Sequence, residues 1–258
     1  MARRSKTKFN PWLLMGISIT LMTAGWLMKS FPVLMFVGLA PLFAIADQAK
    51  DHASPWNRFE LILLALVVTF VTAHVFDFSY IIFVCVQAIA LTLAFVGYAF
   101  SYQNLGSRLG KFTIIFFWLG LEYAFLKLPW RNDFVFLSDA LLILPTWCTW
   151  NVYTGYLGGS VWILVVNLLF YLSVFREGGF STLIFIVALV LIAAPILYSY
   201  QTDESTITRL DMLSVYSNTS PQVSEKYLKQ SELAARTAAW ISVLIILLAF
   251  VKNQTRKK

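Results

Sequence analysis

Few side chains in this sequence are equipped for chemistry, and the clearest is Glu122, set in FFWLGLEYAFLKLPW between Trp118 and Tyr123. A carboxylate in so apolar a run is costly to bury, so it marks a place where something polar is held: a headgroup amine, or the hydroxyls of a neighbouring loop. A structural bond to that loop is the plainer of the two readings. The second concentration of polar groups is PTWCTWNVYTGYLGGSVWILVVN, residues 145–167. It is a polar, aromatic, glycine-punctuated loop that feeds directly into an apolar helix ending at Asn167. That texture belongs where a membrane protein meets water and lipid headgroups.

Each further candidate carries a structural reading beside the functional one. Asn167 and Gln87 are more often interhelical hydrogen-bonding residues than ligands. His74 and Asp77, three apart, are close enough to pair, but a proton relay needs more such groups in series, so an interfacial anchor is the simpler role. Trp130, Trp147, Trp150, Tyr153 and Tyr156 fit an aromatic belt at headgroup depth, the simpler reading; a groove for an acyl chain or lipopeptide would show the same residues. Gly155, Gly158 and Gly159 allow close backbone approach, without the GxxxxGK[ST] pattern of a phosphate loop.

A nucleophile needs a base within hydrogen-bond reach. Cys148 has no histidine near it in sequence, and Cys85 lies inside an apolar run, where a thiol behaves as a small apolar group. The acids and bases around Glu122 (Lys127, Arg131, Asp133, Asp139) form no recognisable motif. The only histidines are His52 and His74, and there is no CxxC, so neither a metal site nor a cofactor is expected.

The elements that must position these residues are membrane spans. Hydrophobic residues make up 59% of the chain and the mean hydropathy is +0.72, beyond an ordinary soluble domain. Eight apolar runs stand out, at 11–29, 31–46, 59–76, 78–101, 112–128, 157–175, 181–200 and 237–251. The second is short and holds Pro32 and Pro41, which predicts a broken or re-entrant helix. The last is short unless the alanine-rich stretch before it continues as helix. The expected fold is therefore an all-α polytopic membrane protein, a single bundle of about eight transmembrane helices.

The net charge of +7 reads as topology and not as nucleic-acid binding. Arg3, Arg4, Lys6 and Lys8 precede the first run, and Lys252, Arg256, Lys257 and Lys258 follow the last. Lys50, Arg58, Arg108, Lys111 and Arg176 fall on the same side. This bias predicts that both termini face the cytoplasm. The first run is longer than a signal-peptide core and no small-x-small site follows it, so it is expected to remain as a span.

Three domain segments are expected: residues 1–200 as a bundle of seven spans, 201–236 as a short outer linker, and 237–258 as the last span with a basic tail. The linker is too short to fold as a domain of its own. Within it, SPQVSEKYLKQSELAARTAAW reads as an amphipathic helix capped at Ser220, with Pro221 at its first position, running into the last span.

Several of these segments resemble the membrane domain of the apolipoprotein N-acyltransferases. GLAPLFAIAD at 38–47 resembles that family's second-span signature, and FFWLGLEYAFLKLPW its tryptophan–glutamate helix. The run from Pro145 to Asn167 resembles the Thr-Gly-x-x-Gly stretch entering an Asn-ending helix, and RTAAWISVLIILLAF the final span. The resemblance implies a multi-pass protein of the bacterial inner membrane that handles phospholipid or lipoprotein acyl chains.

In that family a nitrilase-like domain between the last two spans supplies a Glu–Lys–Cys catalytic set. Here the interval 201–236 contains no cysteine, and Glu204, Glu225, Glu232, Lys226 and Lys229 lack motif context. The resemblance then implies a pseudoenzyme: a non-catalytic lipid or lipoprotein binder, or a subunit of a membrane complex with a protein partner. Glu122, Trp147, Tyr153, Thr154 and Asn167 would surround the mouth of its groove. One alternative is the membrane half of a split acyltransferase completed by a separate nitrilase-type protein. Another is a small transporter, which predicts paired broken helices and several buried charges; only one interrupted run is present.

Overall fold

A computed structural model describes residues 9–28, 31–49, 55–106, 110–175, 179–202, 209–214, 216 and 225–256. Among the described residues the protein is helical, with no strand. The helices are α1 (Pro11–Leu27), α2 (Met35–Gly38), α3 (Ala40–Ala49), α4 (Trp56–Ala73), α5 (Ile81–Leu105) and α6 (Thr113–Leu126), then α7 (Leu137–Leu141), α8 (Asn151–Thr154), α9 (Leu157–Phe170), α10 (Thr182–Gln201), α11 (Arg209–Ser214) and α12 (Glu225–Arg256). Among the described residues, each of the eight predicted apolar runs contains a helix. Among the described residues, six segments are long and apolar enough by themselves to cross a membrane; α1, with 17 residues, and α6, with 14, are shorter.

α1 packs on α3 and α4, and the sequence of neighbours continues α4–α5–α6–α12. α9 sits among α2, α6, α7 and α10. The second apolar run is the most deeply placed, with every residue from 38 to 46 buried. α10 is peripheral, and only Ala188 and Ser199 are buried along it.

The second run breaks at Leu39, between α2 and α3. Pro41 explains the position: it has no N–H, and its ring crowds the carbonyl one turn back, at Val37. In an unbroken helix the Leu39 N–H would donate to Met35 O. Here the Asn167 side chain is inserted between them. Its Nδ2 donates to Met35 O at 2.7 Å, and its Oδ1 accepts from the Leu39 and Ala40 N–H groups at 2.8 and 3.0 Å. The Ser18 hydroxyl of α1 donates to Gly38 O at 2.6 Å. A broken helix survives in lipid only when neighbours satisfy the backbone it frees, which α1 and α9 do here.

α12 is a continuous 32-residue helix, so the short last run is extended by the stretch before it. The predicted cap at Ser220 and Pro221 lies outside the described residues. α11 was not foreseen. Met212 and Leu213 on it, and Tyr216 beyond it, are buried against the bundle.

Candidate functional site

Where α9, α10 and α12 fail to close on one another, an apolar groove of about 790 Å³ opens. Leu119 of α6 contributes to its wall, and Trp150, Tyr153 and Thr154 come from the segment leading into and along α8. Leu157, Gly158, Val161 and Trp162 form the α9 side, Ala194, Pro195 and Tyr198 the α10 side, and Ala234, Ala235 and Ala238 the α12 side. Its size falls within the range of small-molecule sites.

The walls follow from local sequence. Gly155 takes φ +75°, which lets the chain reverse sharply between α8 and α9. A Cβ on Gly158 would lie 2.1 Å from Thr154 Oγ1, so only glycine lets the α8 end rest on the first turn of α9. Pro195 frees the carbonyl one turn before it, at Leu191. The Trp162 indole N–H donates to that carbonyl at 2.6 Å, holding α10 against α9 at mid-groove while the α10–α12 side stays open. The same rule governs both proline sites: a neighbouring helix supplies the partner that proline removed.

Beside the groove lies a polar brace. Glu122 is buried, and its Oε1 accepts from Trp118 Nε1 at 3.0 Å and from the Leu137 N–H at 3.2 Å. The carboxylate thus receives the first N–H of α7, a site where negative charge is favoured. Ser138 and Ser160 exchange backbone-to-hydroxyl bonds at 3.2 and 2.8 Å, and the Ser138 hydroxyl donates to Tyr156 O at 2.5 Å. Gln87 of α5 accepts from the Val135 N–H at 3.2 Å and donates to Val135 O.

Asp139 extends the brace outward. It accepts from the Phe136 N–H at 2.9 Å, the Tyr156 hydroxyl at 2.6 Å and Arg209 Nε at 2.5 Å. Burial pulls the Arg209 guanidinium down, but the adjoining Asp139 carboxylate outweighs it and holds it above its usual range. Lys127 donates to Glu232 at 2.8 Å and to Tyr216 O at 3.1 Å. Two cations therefore fasten α11, Tyr216 and the start of α12 to the end of the bundle.

Of the five residues read from sequence as the groove mouth, Tyr153 and Thr154 line it. Glu122, Trp147 and Asn167 are not among its described lining residues. Glu122 and Asn167 are buried braces, and Trp147 lies at the end of α10, where its carbonyl accepts from the Ser199 hydroxyl at 3.0 Å. Trp162, Pro195 and the α12 alanines were not singled out in sequence. The proline inside an apolar run was the available signal for α10. The alanine periodicity in SELAARTAA was the signal for α12.

Both cysteines are free. Burial pushes the Cys148 thiol up to about 12, which leaves almost no thiolate for nucleophilic attack at neutral pH. No metal-holding group of three or more His, Cys, Asp or Glu residues exists among the described residues.

His74, at the end of α4, stacks on Tyr80 with centroids 4.4 Å apart. Burial lowers its imidazole below the ordinary value, against the pull of Asp77, Asp133 and Asp139. The unfolded chain therefore takes up the proton first. Stability is complete above the ordinary imidazole pKa and is lost as pH falls through the lowered one. A melting series in detergent from about pH 8 to 5 should show this acid-side decline, and His74→Gln should flatten it. An unchanged decline in the variant would assign it to other groups.

The chain is 25% identical over 224 residues to an apolipoprotein N-acyltransferase of Chlorobaculum tepidum, a match covering 85% of this chain and 40% of that enzyme. It is a distant relative of that acyltransferase. The chain thus spans a little under half the length of the enzyme it matches. No family model matches it, and no solved structure matches it. With its apolar helices, the similarity makes this acyltransferase relative a multi-pass membrane protein.

Proposed function

We propose that this acyltransferase relative holds a lipid or lipoprotein acyl chain in the α9–α10–α12 groove and is non-catalytic alone. It resides in the bacterial inner membrane with both termini cytoplasmic. Residues 201–236 form a linker in place of a nitrilase-like domain, between a seven-span bundle over 1–200 and a last span over 237–258. The observation that carries this reading is the groove itself: apolar, open between α10 and α12, and flanked by the Thr-Gly-x-x-Gly segment that resembles the acyltransferases'.

The energetics place selectivity at the mouth. Bilayer tails are as apolar as the groove walls, so moving an acyl chain between them gains little from water exclusion. Retention then depends on packing against Trp150 and Trp162 and on polar contacts at the level of Thr154, Tyr153 and Tyr198. Glu122 and Asn167 contribute by holding the walls, and Trp147 by holding the end of α10. Buried Cys148, with its raised thiol, supports the absence of an acyl-carrying nucleophile in the described bundle.

Native mass spectrometry after purification in a lipid-preserving detergent tests this. Phospholipid or triacylated peptide should co-purify at defined stoichiometry. Ala234→Trp should displace most of it while leaving the melting temperature nearly unchanged, because Ala234 is exposed and the indole would fill empty groove. Equal lipid retention by both proteins would refute the assignment. A second reading is favoured by the coverage: the match takes in only 40% of the related enzyme. The bundle would then be one half of a split acyltransferase, and a stoichiometric nitrilase-type partner in the same spectra would establish it.

A further inference from the structure

The turn joining α4 to α5 is made of residues that its backbone does not favour. Val75 and Phe76 both adopt left-handed conformations, with φ of 54° and 61°, a region where Cβ crowds the backbone and glycine is the usual occupant. Hydrogen bonds hold the turn in place. The Phe76 N–H donates to Val71 O and the Asp77 N–H to His74 O, each at 3.0 Å. The Asp77 carboxylate accepts from the Ser79 N–H at 2.9 Å and the Ser79 hydroxyl at 2.7 Å. The polar members therefore satisfy one another, and the apolar members are turned outward: Val75 is 75% exposed, Phe76 53% and Phe78 66%.

Three large apolar side chains on a tight turn are a liability in water and an asset in lipid. Their placement identifies which. Ile82, Val86, Ile89 and Leu93, all exposed, recur at i, i+4, i+7 and i+11 and form one exposed apolar stripe along α5, with Leu93 at the edge of an apolar groove shared with α6 and α12. Phe78 extends that stripe beyond the helix end. The segment Phe78–Leu105 has 28 residues, on the order of 40 Å of helix, against a hydrocarbon core of about 30 Å, so its ends reach the headgroup layer. Aromatic rings are favoured at that depth.

We propose that the α4–α5 turn is a membrane-interface wedge. Val75, Phe76 and Phe78 insert at the boundary between headgroups and acyl chains, in the leaflet on the α7 side of the bundle. Asp77 and Ser79 remain among the headgroups. The occupant of this surface is lipid and not a second protein, because it continues the exposed apolar stripe of α5 without a step.

Site-directed spin labelling in nanodiscs of phosphatidylethanolamine and phosphatidylglycerol tests this. A Cys85→Ala protein carries either Phe78→Cys or Val75→Cys, both exposed positions outside the core, while buried Cys148 stays unlabelled. Leu93→Cys calibrates the hydrocarbon signature. At both turn positions the label should collide with oxygen more often than with a water-soluble nickel chelate, with a bias smaller than at position 93. Access dominated by the nickel chelate, as in bulk water, would overturn the proposal. So would labels shielded from both reagents together with a crosslink to another chain, which would make the turn a protein interface.

Discussion

Asn167→Leu should be the most destabilising single substitution in this protein. Leucine keeps asparagine's branching and number of side-chain heavy atoms but removes every bond that repairs the broken second run. The Leu39 and Ala40 N–H groups and the Met35 carbonyl would be left buried without the partner that Asn167 supplies. Each such orphaned group costs about 1–3 kcal/mol, so three approach the whole stability of an ordinary domain. Water cannot compensate, since Asn167 is fully buried.

Asn167→Asp provides the internal control. It keeps an acceptor for the two N–H groups and loses the amide donors to Met35 O and Ile163 O, so it should fall between the parent and the leucine variant. Melting followed by fluorescence-detected size exclusion would show the order parent, Asp, Leu. A leucine variant melting within a degree or two of the parent, a span worth at most about 1 kcal/mol, would refute the bracing role.

The second large effect is at Glu122, and it separates a brace from a ligand. Glu122→Leu abandons two buried donors, Trp118 Nε1 and the Leu137 N–H, and should cost about 2–5 kcal/mol. Glu122→Gln keeps an Oε1 acceptor in place and should melt close to the parent. If Glu122 instead bound a headgroup amine by its charge, glutamine would abolish lipid retention while leaving the fold intact. Measuring both melting and co-purified lipid for both variants distinguishes the two roles. Lipid loss in Glu122→Gln without thermal change would sink the brace. Losing the Leu137 bond should also loosen α7, and with it the Asp139–Arg209 clamp on α11.

The legibility of this fold varied with the range of the interaction. The helices were legible because an apolar run long enough to span lipid must satisfy its backbone internally. The break in the second run was legible because Pro41 acts on its own chain one turn back. The importance of Glu122 and Asn167 was legible in kind, as polar groups in apolar surroundings. Their partners were not. Both are buried, and neither is among the residues that line the groove. Tyr153 and Thr154 line the groove, where the Thr-Gly-x-x-Gly turn orients them locally.

Composition and local pattern by themselves determined that this protein is a helical membrane protein, where its chain is interrupted, and which residues are too polar to be incidental. Those properties depend on covalent geometry and on transfer between water and lipid, which act within a turn or two. Tertiary structure alone decided that Asn167 repairs a break 128 residues away, and that Trp162 takes up the carbonyl freed by Pro195. It alone decided that Glu122 caps α7. Each depends on which helix happens to lie alongside, and an orphaned backbone group is satisfied by whatever donor or acceptor packing brings within 3 Å, a choice that no local stretch of sequence contains.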